Sequence, residues 1–325
     1  VFVKTVKNGF ISQDELNKQW QALNYLEKPN FDKAILEYGA FLELFQRSDI
    51  ELKYFPQDNS VKIDSMYCRD ASIATDFGMI ICNMGKPGRV NEPEAQMQTY
   101  VNEAIPILGI IKAPGTLEGG DVAWLDKRTL AVGHTYRTNE EGIKQLKNML
   151  ESKGVEVLVV ELPHYKGASD VFHLMSIFSP VDKDLAVVYS TLMPIKFRNE
   201  LLKRNFQLVE VPNEEFESMG CNVLAIAPRH CIMVEGNPKT QKRVEKAGCS
   251  VQVYKGEEIR VNGGGGPTCL TRPLLRCYKL HFKIEILGQI YIIFRVLMSI
   301  RLNNKFIYNC LDLLHAGKHG GERKI

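Results

Sequence analysis

The segment around Cys269 carries the residue of this sequence best suited to nucleophilic chemistry. It reads VNGGGGPTCLTRPL, and its run of glycines gives a backbone that can approach a ligand closely and present a thiol at a loop end. The alternative is a flexible turn before a buried thiol, because free cysteine is among the most buried residue types. The run does not have the form of a phosphate-binding loop.

Two further motifs carry groups that could assist a thiol. In LEGGDVAWLD, Glu118 and Asp121 flank a Gly-Gly pair at a predicted hairpin turn, where carboxylates are often simply solvated. A carboxylate held away from water at that turn would instead receive a cationic ligand. His173 lies in the mostly apolar, strand-like run SDVFHLMSIFSP. A lone histidine in such a run is usually a core residue, so its position relative to the other motifs must decide its role.

A pair of carboxylates comes earlier in the chain. Asp64 and Asp70 stand at positions i and i+6 of DSMYCRDAS, and on a strand both side chains would point to the same face. Two carboxylates on one face suit a guanidinium or ammonium ligand. A solvated surface strand is the alternative interpretation.

A repeated pattern of elements organises most of the chain. An amphipathic helix is followed, five times, by a short strand rich in valine, isoleucine and leucine. The interval between these strands is roughly 50 residues, which is typical of one supersecondary unit repeated around an axis. The strands begin at Ile50, Ile107, Val155, Phe206 and Val251.

The helices of these units have recognisable ends. Ser12 with Glu15, and Thr138 with Glu141, fit the pattern of a capping box at a helix N-terminus. Glycines 154 and 248 stand where a left-handed residue would end a helix.

The candidate residues share one position within the repeat. Each lies 11 to 20 residues beyond the start of a predicted strand. If the units pack with rotational symmetry, equivalent loops meet at the axis, and the sequence then predicts an α/β protein of five repeated units around one site. The residues so placed are Asp64, Asp70, Glu118, His173, Asn222 and Cys269.

Composition excludes several classes of function. The 41 basic and 38 acidic residues are mixed along the chain, so the electrostatic footprint of a nucleic-acid-binding protein is missing. The eight cysteines form no CxxC pair, so we expect neither a zinc knuckle nor a disulfide framework, no metal or other cofactor, and a reducing, cytoplasmic setting. The start at Val1, without methionine or an apolar leader, is expected to be a truncated start rather than a signal peptide.

The end of the sequence departs from the repeat. Residues 277–325 contain no sixth unit, and the apolar stretch from Ile286 to Ile300 is interrupted by Gln289 and Arg295. A stretch of this kind is short for a bilayer span of about 20 residues. We therefore expect a catalytic domain over residues 1–276, and an atypical tail over residues 277–325 that is an irregular appendage or peripheral helix rather than a membrane span.

Taken together, these motifs make residues 50–275 resemble the guanidino-group-modifying superfamily of pentein fold, which includes dimethylarginine dimethylaminohydrolase, arginine deiminase and the amidinotransferases. The resemblance implies a five-bladed α/β propeller with pseudo-fivefold repeats around a central active site. It assigns the nucleophile to Cys269, the catalytic histidine to His173 and the catalytic acidic residue to Glu118. Asp64 and Asp70 would hold the substrate cation.

Two arginines extend the resemblance to the rest of the substrate. The segment GKPGRVNEPEA resembles a loop that binds the substrate carboxylate through an arginine, here Arg89, and GHTYRTN resembles a second such position, Arg137. Arginine is suited to a bidentate grip on a carboxylate. The implied partner is a small guanidino amino acid rather than agmatine, with neither a nucleic acid nor a membrane as partner, while a homodimer stays open.

Two residues depart from the family patterns. Met175 stands where arginine deiminases carry an aspartate, and Arg69 stands where the dimethylarginine hydrolases often have an acidic residue. The methionine favours an N-methylated substrate. The resemblance thus implies hydrolysis of Nω-methylated arginine, or of arginine, to citrulline and an amine through a covalent thiouronium on the cysteine. An amidinotransferase and an inactive ligand-binding homologue remain as alternatives.

Overall fold

The computed structural model describes residues 1–48 and 50–274, so the predicted tail, residues 277–325, lies outside the described residues. In the described part, the strands form five separate sheets of three strands each. Every sheet combines an antiparallel pair with a third strand that runs parallel to the middle one.

The strands are short, and each sheet takes three of them. In chain order they are β1 (Phe2–Val3), β2 (Lys53–Tyr54), β3 (Ser72–Thr75), β4 (Gly78–Ile81), β5 (Ile107–Ile110), β6 (Val122–Trp124), β7 (Thr129–His134), β8 (Glu156–Glu161), β9 (Phe178–Asp182), β10 (Leu185–Val188), β11 (Gln207–Glu210), β12 (Leu224–Ala227), β13 (His230–Val234), β14 (Ser250–Tyr254) and β15 (Thr271–Arg272). The α-helices are α1 (Val6–Gly9), α2 (Gln13–Gln19), α3 (Phe31–Gln46), α4 (Glu92–Asn102), α5 (Glu140–Glu151), α6 (Ile195–Lys203) and α7 (Pro238–Lys246).

One unit, two antiparallel strands followed by a helix and a parallel strand, accounts for the whole arrangement. In the second sheet, for example, β3 and β4 form the hairpin, and α4 crosses to β5. The helix α5 shows why the crossover packs on its sheet, because it buries Ile143, Leu146 and Leu150 along one face. The five strands predicted from the sequence are all present, each as the third strand of its sheet: β2, β5, β8, β11 and β14.

The first sheet joins the two ends of the described chain. Strand β1 pairs with β15 on one side and with β2 on the other, so that Phe2 stands opposite both Arg272 and Lys53. The buried ring of Phe2 stacks on Phe55 at 4.8 Å and meets the edge of Tyr100 at 5.6 Å. This sheet therefore closes the ring of five blades.

One of the predicted helix caps is wrong. Ser12 does cap α2, accepting a hydrogen bond from the backbone N of Glu15 at 3.2 Å. At α5, however, Asn139 is the cap and accepts from the backbone N of Gly142 at 2.9 Å. The hydroxyl of Thr138 is used elsewhere, because its oxygen accepts from the backbone N of Glu118 at 3.1 Å and its hydrogen is donated to the buried carboxylate of Asp121 at 2.7 Å.

The glycines predicted to end helices both have left-handed backbones, with φ of +72° at Gly154 and +88° at Gly248. Among the described residues, no helix combines the length and the apolar character needed to cross a bilayer.

Candidate active site

The links between blades carry the six residues that were predicted to meet at the axis, whereas Arg89 and Arg137 lie within blades, between β4 and α4 and between β7 and α5. Each link runs from the third strand of one sheet to the first strand of the next. The links hold Asp64 and Asp70 between β2 and β3, Glu118 between β5 and β6, His173 between β8 and β9, Asn222 between β11 and β12, and Cys269 between β14 and β15.

The local backbone of three links differs from the prediction. The hairpin turn predicted at the Gly-Gly pair is wrong, because Gly119–Asp121 is a short 3-10 helix and the strands on either side, β5 and β6, belong to different sheets. Asp64 lies in a short 3-10 helix, Ile63–Met66, whose residues are all buried, and Asp70 follows in a turn. The prediction that both aspartates point from one face of a strand is therefore wrong. His173 does not lie in a strand either, because it stands at the start of the 3-10 helix Leu174–Ser176.

Three ionisable side chains from three links meet at the centre. One polar atom each from Asp70, Glu118 and His173 lies within 4.8 Å of the others, and all three residues are buried. Nε2 of His173 and Oε2 of Glu118 are 2.9 Å apart. Residues separated by up to 103 positions in the sequence thus form one cluster.

The Glu118 carboxylate is held as an anion although it is completely buried. Burial by itself would raise its pKa, but the hydrogen bond and charge of His173, with Arg89 and Arg137 nearby, hold that pKa well below its usual range. Its other oxygen accepts hydrogen bonds from the backbone N of Gly85 at 3.0 Å and of Lys86 at 3.1 Å. The second link therefore presents a fixed negative charge to the centre.

His173 carries a proton at neutral pH for the complementary reason. Burial opposes a charged imidazole, but Asp121, Glu118 and Asp70 outweigh it and raise the pKa of His173 to about 9. The imidazolium is therefore the main form below pH 9, and it is lost as the pH rises through that value. In this state the ring is ready to donate a proton.

Asp121 is a residue to which the sequence assigned no specific role, and it positions the histidine. One of its carboxylate oxygens accepts from the backbone N of Leu174 at 3.0 Å. The other accepts from the hydroxyls of Thr135 and Thr138, each at 2.7 Å. Burial raises the pKa of Asp121 to about 6, against the charge of His173 and these hydrogen bonds. In the sequence, the signal for this role of Asp121 was its place as the second acidic residue of the EGGD motif.

A glycine makes this packing possible. A β-carbon at Gly120 would clash with Nδ1 of His173 and would lie 2.7 Å from Oδ1 of Asp70. A larger residue would push the histidine and the aspartate apart, so Gly120 is required by the close approach of these side chains, whereas a β-carbon at Gly119 would meet backbone carbonyl oxygens.

Only one of the two Asp70 carboxylate oxygens has a hydrogen-bond donor among the described residues. Its Oδ2 accepts from Nη1 of Arg89 at 2.6 Å. Its Oδ1 is buried and has no hydrogen-bond partner within the described part of the chain. A buried acceptor in that state is costly unless a ligand or water supplies a donor. Oδ1 also lies on the side of Gly120 and His173, toward the centre of the cluster.

The two predicted carboxylate-binding arginines differ in their environment. Arg89 is buried, and its guanidinium donates to both oxygens of Glu92 at 2.9 and 2.8 Å, to Asp70, and to the carbonyl of Tyr67. Arg137 is buried as well, but its nearest acidic partner is Glu118 at 3.7 Å. Arg137 therefore has more hydrogen-bonding capacity left for a ligand.

Lys86 and Glu92 are charged residues of the site that the sequence did not single out. Nζ of Lys86 lies 2.6 Å from Oδ2 of Asp64 and donates to the carbonyl of Leu23 at 2.8 Å. Glu92 neutralises Arg89, and its own pKa is raised to about 7, mainly by burial. The Lys86–Asp64 pair connects segments 22 positions apart, so no local sequence signal reveals it, whereas Glu92 lies three positions after Arg89 and that spacing was an available signal.

Cys269 differs from the other cysteines of the described residues. The other five are buried, whereas Cys269 is partly exposed. Its Sγ lies 3.7 Å from Nδ2 of Asn222 and 3.8 Å from the hydroxyl of Thr268. Burial of the sulfur, and next the carboxylate of Asp70, raise the pKa of Cys269, so without a ligand the thiol is neutral at pH 7.

Met175 follows the histidine in the 3-10 helix Leu174–Ser176 and is 9% exposed. It does not belong to any of the four apolar core clusters formed by the described residues, unlike its neighbours Leu174 and Ile177. A selectivity role for its thioether stays a prediction.

The central cluster could hold a metal ion by the spacing of its atoms alone. A histidine must lose its proton to bind a metal, however, and the carboxylates around His173 stabilise that proton. The expected independence from metals stays a prediction.

A comparison with protein families identifies the family of this chain. The family model described as "N,N dimethylarginine dimethylhydrolase, eukaryotic" matches residues 6–276. The chain belongs to this family. The resemblance inferred from the motifs is thereby confirmed, and members of the family are hydrolases.

Curated relatives lie at low identity. The dimethylarginine dimethylaminohydrolase of Pseudomonas aeruginosa is 27% identical over 242 residues, which are 74% of this chain and 89% of that protein. The arginine deiminase of Listeria welshimeri is 25% identical over 252 residues, covering 65% of this chain and 61% of the deiminase.

Two solved structures show the same fold. The Pseudomonas aeruginosa enzyme, complexed with citrulline, has a TM-score of 0.67 at 24% identity and covers 83% of this chain and 96% of its own. The N-terminal domain of ArgZ, a cyanobacterial arginine dihydrolase bound to product, has a TM-score of 0.71 at 14% identity and covers 85% of this chain and 97% of its own. The prediction of a five-bladed α/β propeller is confirmed.

The pairing of Glu118 and His173 yields a prediction about protonation. In the variant Glu118→Gln, the pKa of His173 should fall by at least about one pH unit, because an anion that favours the imidazolium is removed. An NMR titration of the ring protons measures this directly. Glu161→Gln is the matched control, since Glu161 pairs with a different histidine, His134, at 2.7 Å. An unchanged pKa of His173 in Glu118→Gln would refute the electrostatic account.

Proposed function

We propose that this protein hydrolyses the guanidino group of an arginine-type amino acid, and that its preferred substrate is Nω-methylated arginine. The products would be citrulline and an amine. The free oxygen of Asp70, buried beside the Glu118–His173 pair, is the observation that carries the proposal. Membership of the family supports the same reaction class.

The first step is capture of the substrate cation. A guanidinium offers N–H donors in one plane, and Asp70 Oδ1 is a buried acceptor that lacks a donor among the described residues. Binding would therefore satisfy both partners. Asp64 and Glu118 add negative charge on the same side, although Asp64 is paired with Lys86 in the absence of a ligand.

The second step is attack by Cys269. A thiol with a raised pKa is a poor nucleophile, but a guanidinium placed beside it favours the thiolate. The thiol proton passes to solvent, and the sulfur forms a bond to the central guanidino carbon. Splitting the hydrolysis of a resonance-stabilised cation into two steps is the advantage of a covalent intermediate.

The remaining steps belong to His173. As the C–N bond breaks, the imidazolium gives its proton to the departing amine. The neutral ring then takes a proton from a water molecule, whose oxygen adds to the carbon. The C–S bond breaks, which releases the ureido product and the thiolate. Asp121 keeps the backbone next to His173 in place through its hydrogen bond to Leu174.

The nucleophile is tested by Cys269→Ser. This variant should lose turnover while still binding substrate, because a hydroxyl is a far weaker nucleophile near neutral pH. Citrulline formed from arginine, monomethylarginine and dimethylarginine is measured for both proteins. A metal chelator should leave the rate of the unmodified protein unchanged. The assay is repeated with glycine as an amine acceptor.

Cys249→Ser provides the matched control, since Cys249 is buried and is not a candidate site residue. A Cys269→Ser variant with the original rate would disprove covalent catalysis. An amidino-glycine product would indicate a transferase instead.

The proposed binding of the substrate carboxylate by Arg137 is tested by Arg137→Ala. Loss of a charge-assisted hydrogen bond costs on the order of 1.5 to 3 kcal/mol, so kcat/KM for arginine substrates should fall by roughly 10- to 150-fold. For agmatine, which lacks the carboxylate, kcat/KM should barely change. Equal losses on both compounds would assign Arg137 to the fold. Arg89→Ala should impair both, because it also leaves Asp70 and Glu92 unpaired.

Selectivity is tested at Met175. An apolar thioether packs against methyl groups and is a weak acceptor for N–H, so the unmodified protein should have a higher kcat/KM for methylated arginine than for arginine. Met175→Asp should move the ratio toward arginine by about 1 to 3 kcal/mol. Met175→Leu, which keeps an apolar side chain, should leave the preference in place. A ratio that does not respond to the aspartate would exclude Met175 as the selectivity element.

A further inference from the structure

Arg69 has a position that the proposed reaction does not use. It precedes Asp70 in the link between β2 and β3, and it is 2% exposed. Its side chain extends to the segment that carries the nucleophile, where Nε donates to the carbonyl of Thr268 at 2.7 Å and Nη2 donates to the hydroxyl of Thr271 at 3.2 Å. Its backbone N donates to the carbonyl of Cys269 at 3.1 Å.

The same residue, Thr268, is also held by another link. Oδ1 of Asn222 accepts hydrogen bonds from the backbone N of Thr268 at 3.1 Å and from its hydroxyl at 2.8 Å. A β-carbon at Gly266 would clash with the Asn222 side chain, which shows how closely the two links approach. Both the carbonyl and the amide of Thr268 are thus fixed by residues distant in the sequence.

The backbone of Arg69 also contacts the segment that presents the catalytic carboxylate. A β-carbon at Gly119 would clash with the carbonyl oxygen of Arg69, so the residue after Glu118 packs directly on this peptide. Nη1 of Arg272 donates to the same oxygen at 3.2 Å. One residue therefore connects the segment of Cys269 with the segment of Glu118.

We propose that Arg69 is a positioning residue for the nucleophile, which fixes the peptide before Cys269 and thereby the direction of its thiol. The proposal rests on the proposed role of Cys269. An ionised acidic residue at this position could not donate to the Thr268 carbonyl. A lysine has a charge and donors but lacks the rigid fork that reaches two oxygens at once. The arginine is therefore a distinct way of holding this segment.

The charges around the sulfur give the proposal a second consequence. Burial, and then the carboxylate of Asp70, raise the pKa of the Cys269 thiol, whereas the guanidinium of Arg69 lowers it. The phenols of Tyr67 and Tyr254 also face the sulfur, and burial keeps them neutral by raising their pKa. Removing the Arg69 charge should move the thiol further from ionisation.

The experiment compares Arg69→Met and Arg69→Lys with Arg229→Met in the full chain. Arg229 is a matched control, because it donates to Asp182 at 2.7 Å, to the carbonyl of Ala247 at 2.8 Å and to Asp184 at 3.0 Å, and none of these is a candidate site residue. The rate of iodoacetamide alkylation at Cys269 is followed against pH by mass spectrometry of its peptide. Melting temperature, kcat and KM are measured alongside.

In Arg69→Met the alkylation midpoint should shift to higher pH, and kcat should fall roughly 10- to 100-fold with KM changed less than about threefold, because the thiol is misdirected. Arg69→Lys should partly restore the alkylation midpoint and kcat. Arg229→Met should change only the melting temperature. A methionine variant with the alkylation profile and kcat of the unmodified protein overturns the proposal, even if it melts earlier.

The alkylation measurement separates this proposal from the proposed function, because it needs no turnover. If the unmodified protein hydrolyses no guanidino compound, the function fails while the shifted alkylation midpoint still supports Arg69. If hydrolysis depends on Cys269 but neither alkylation nor kcat responds to Arg69→Met, the positioning role fails and the function stands.

Discussion

Burial of charge at the meeting point of the blades is the constraint on which the rest of the structure depends. Glu118 and Asp70 lie almost fully out of water, and each isolated carboxylate would cost several kcal/mol there. The cost is offset at Glu118 by the ion pair with His173 and at Asp70 by the ion pair with Arg89. Removing one residue of either pair would leave a buried charge without its partner. The structure therefore depends jointly on the cations, on the glycines that let them approach and on the turns that present them.

The same compensation accounts for how the proposed cation site could keep an acceptor for its ligand. Lys86 and Arg89 occupy one oxygen each of Asp64 and Asp70, and Oδ1 of Asp70 has no partner among the described residues. The protein thus stabilises most of the negative charge internally and leaves one acceptor for the ligand. A fully unpaired cluster would protonate, and a fully paired one would have nothing to offer a guanidinium.

The sequence predicted the repeat and the location of the site, because helix amphipathicity and buried strands are local signals. It identified the strand that follows the helix of each blade and not the hairpins, such as β12 and β13, which no helix directly precedes. It misplaced Asp64 on a strand and Thr138 as a cap, since tertiary contacts at Asp121 decide the latter. Lys86 and the direction of Arg69 could not be predicted, because each depends on a contact with a distant segment, whereas the spacing of Glu92, three positions after Arg89, was a local signal that the prediction did not use.

The closure of the ring has a consequence for how the site comes into being. Cys269 lies two residues before β15, and β15 is held by β1 from the opposite end of the described chain. The contact most distant in sequence, whose closure costs the most chain entropy, therefore also places the sulfur. In a chain where this contact has not yet formed, Asp70, Glu118 and His173 could meet while the thiol is still elsewhere. The proposed chemistry would then wait for the complete architecture, because an unfinished molecule would hold the central cluster without its thiol.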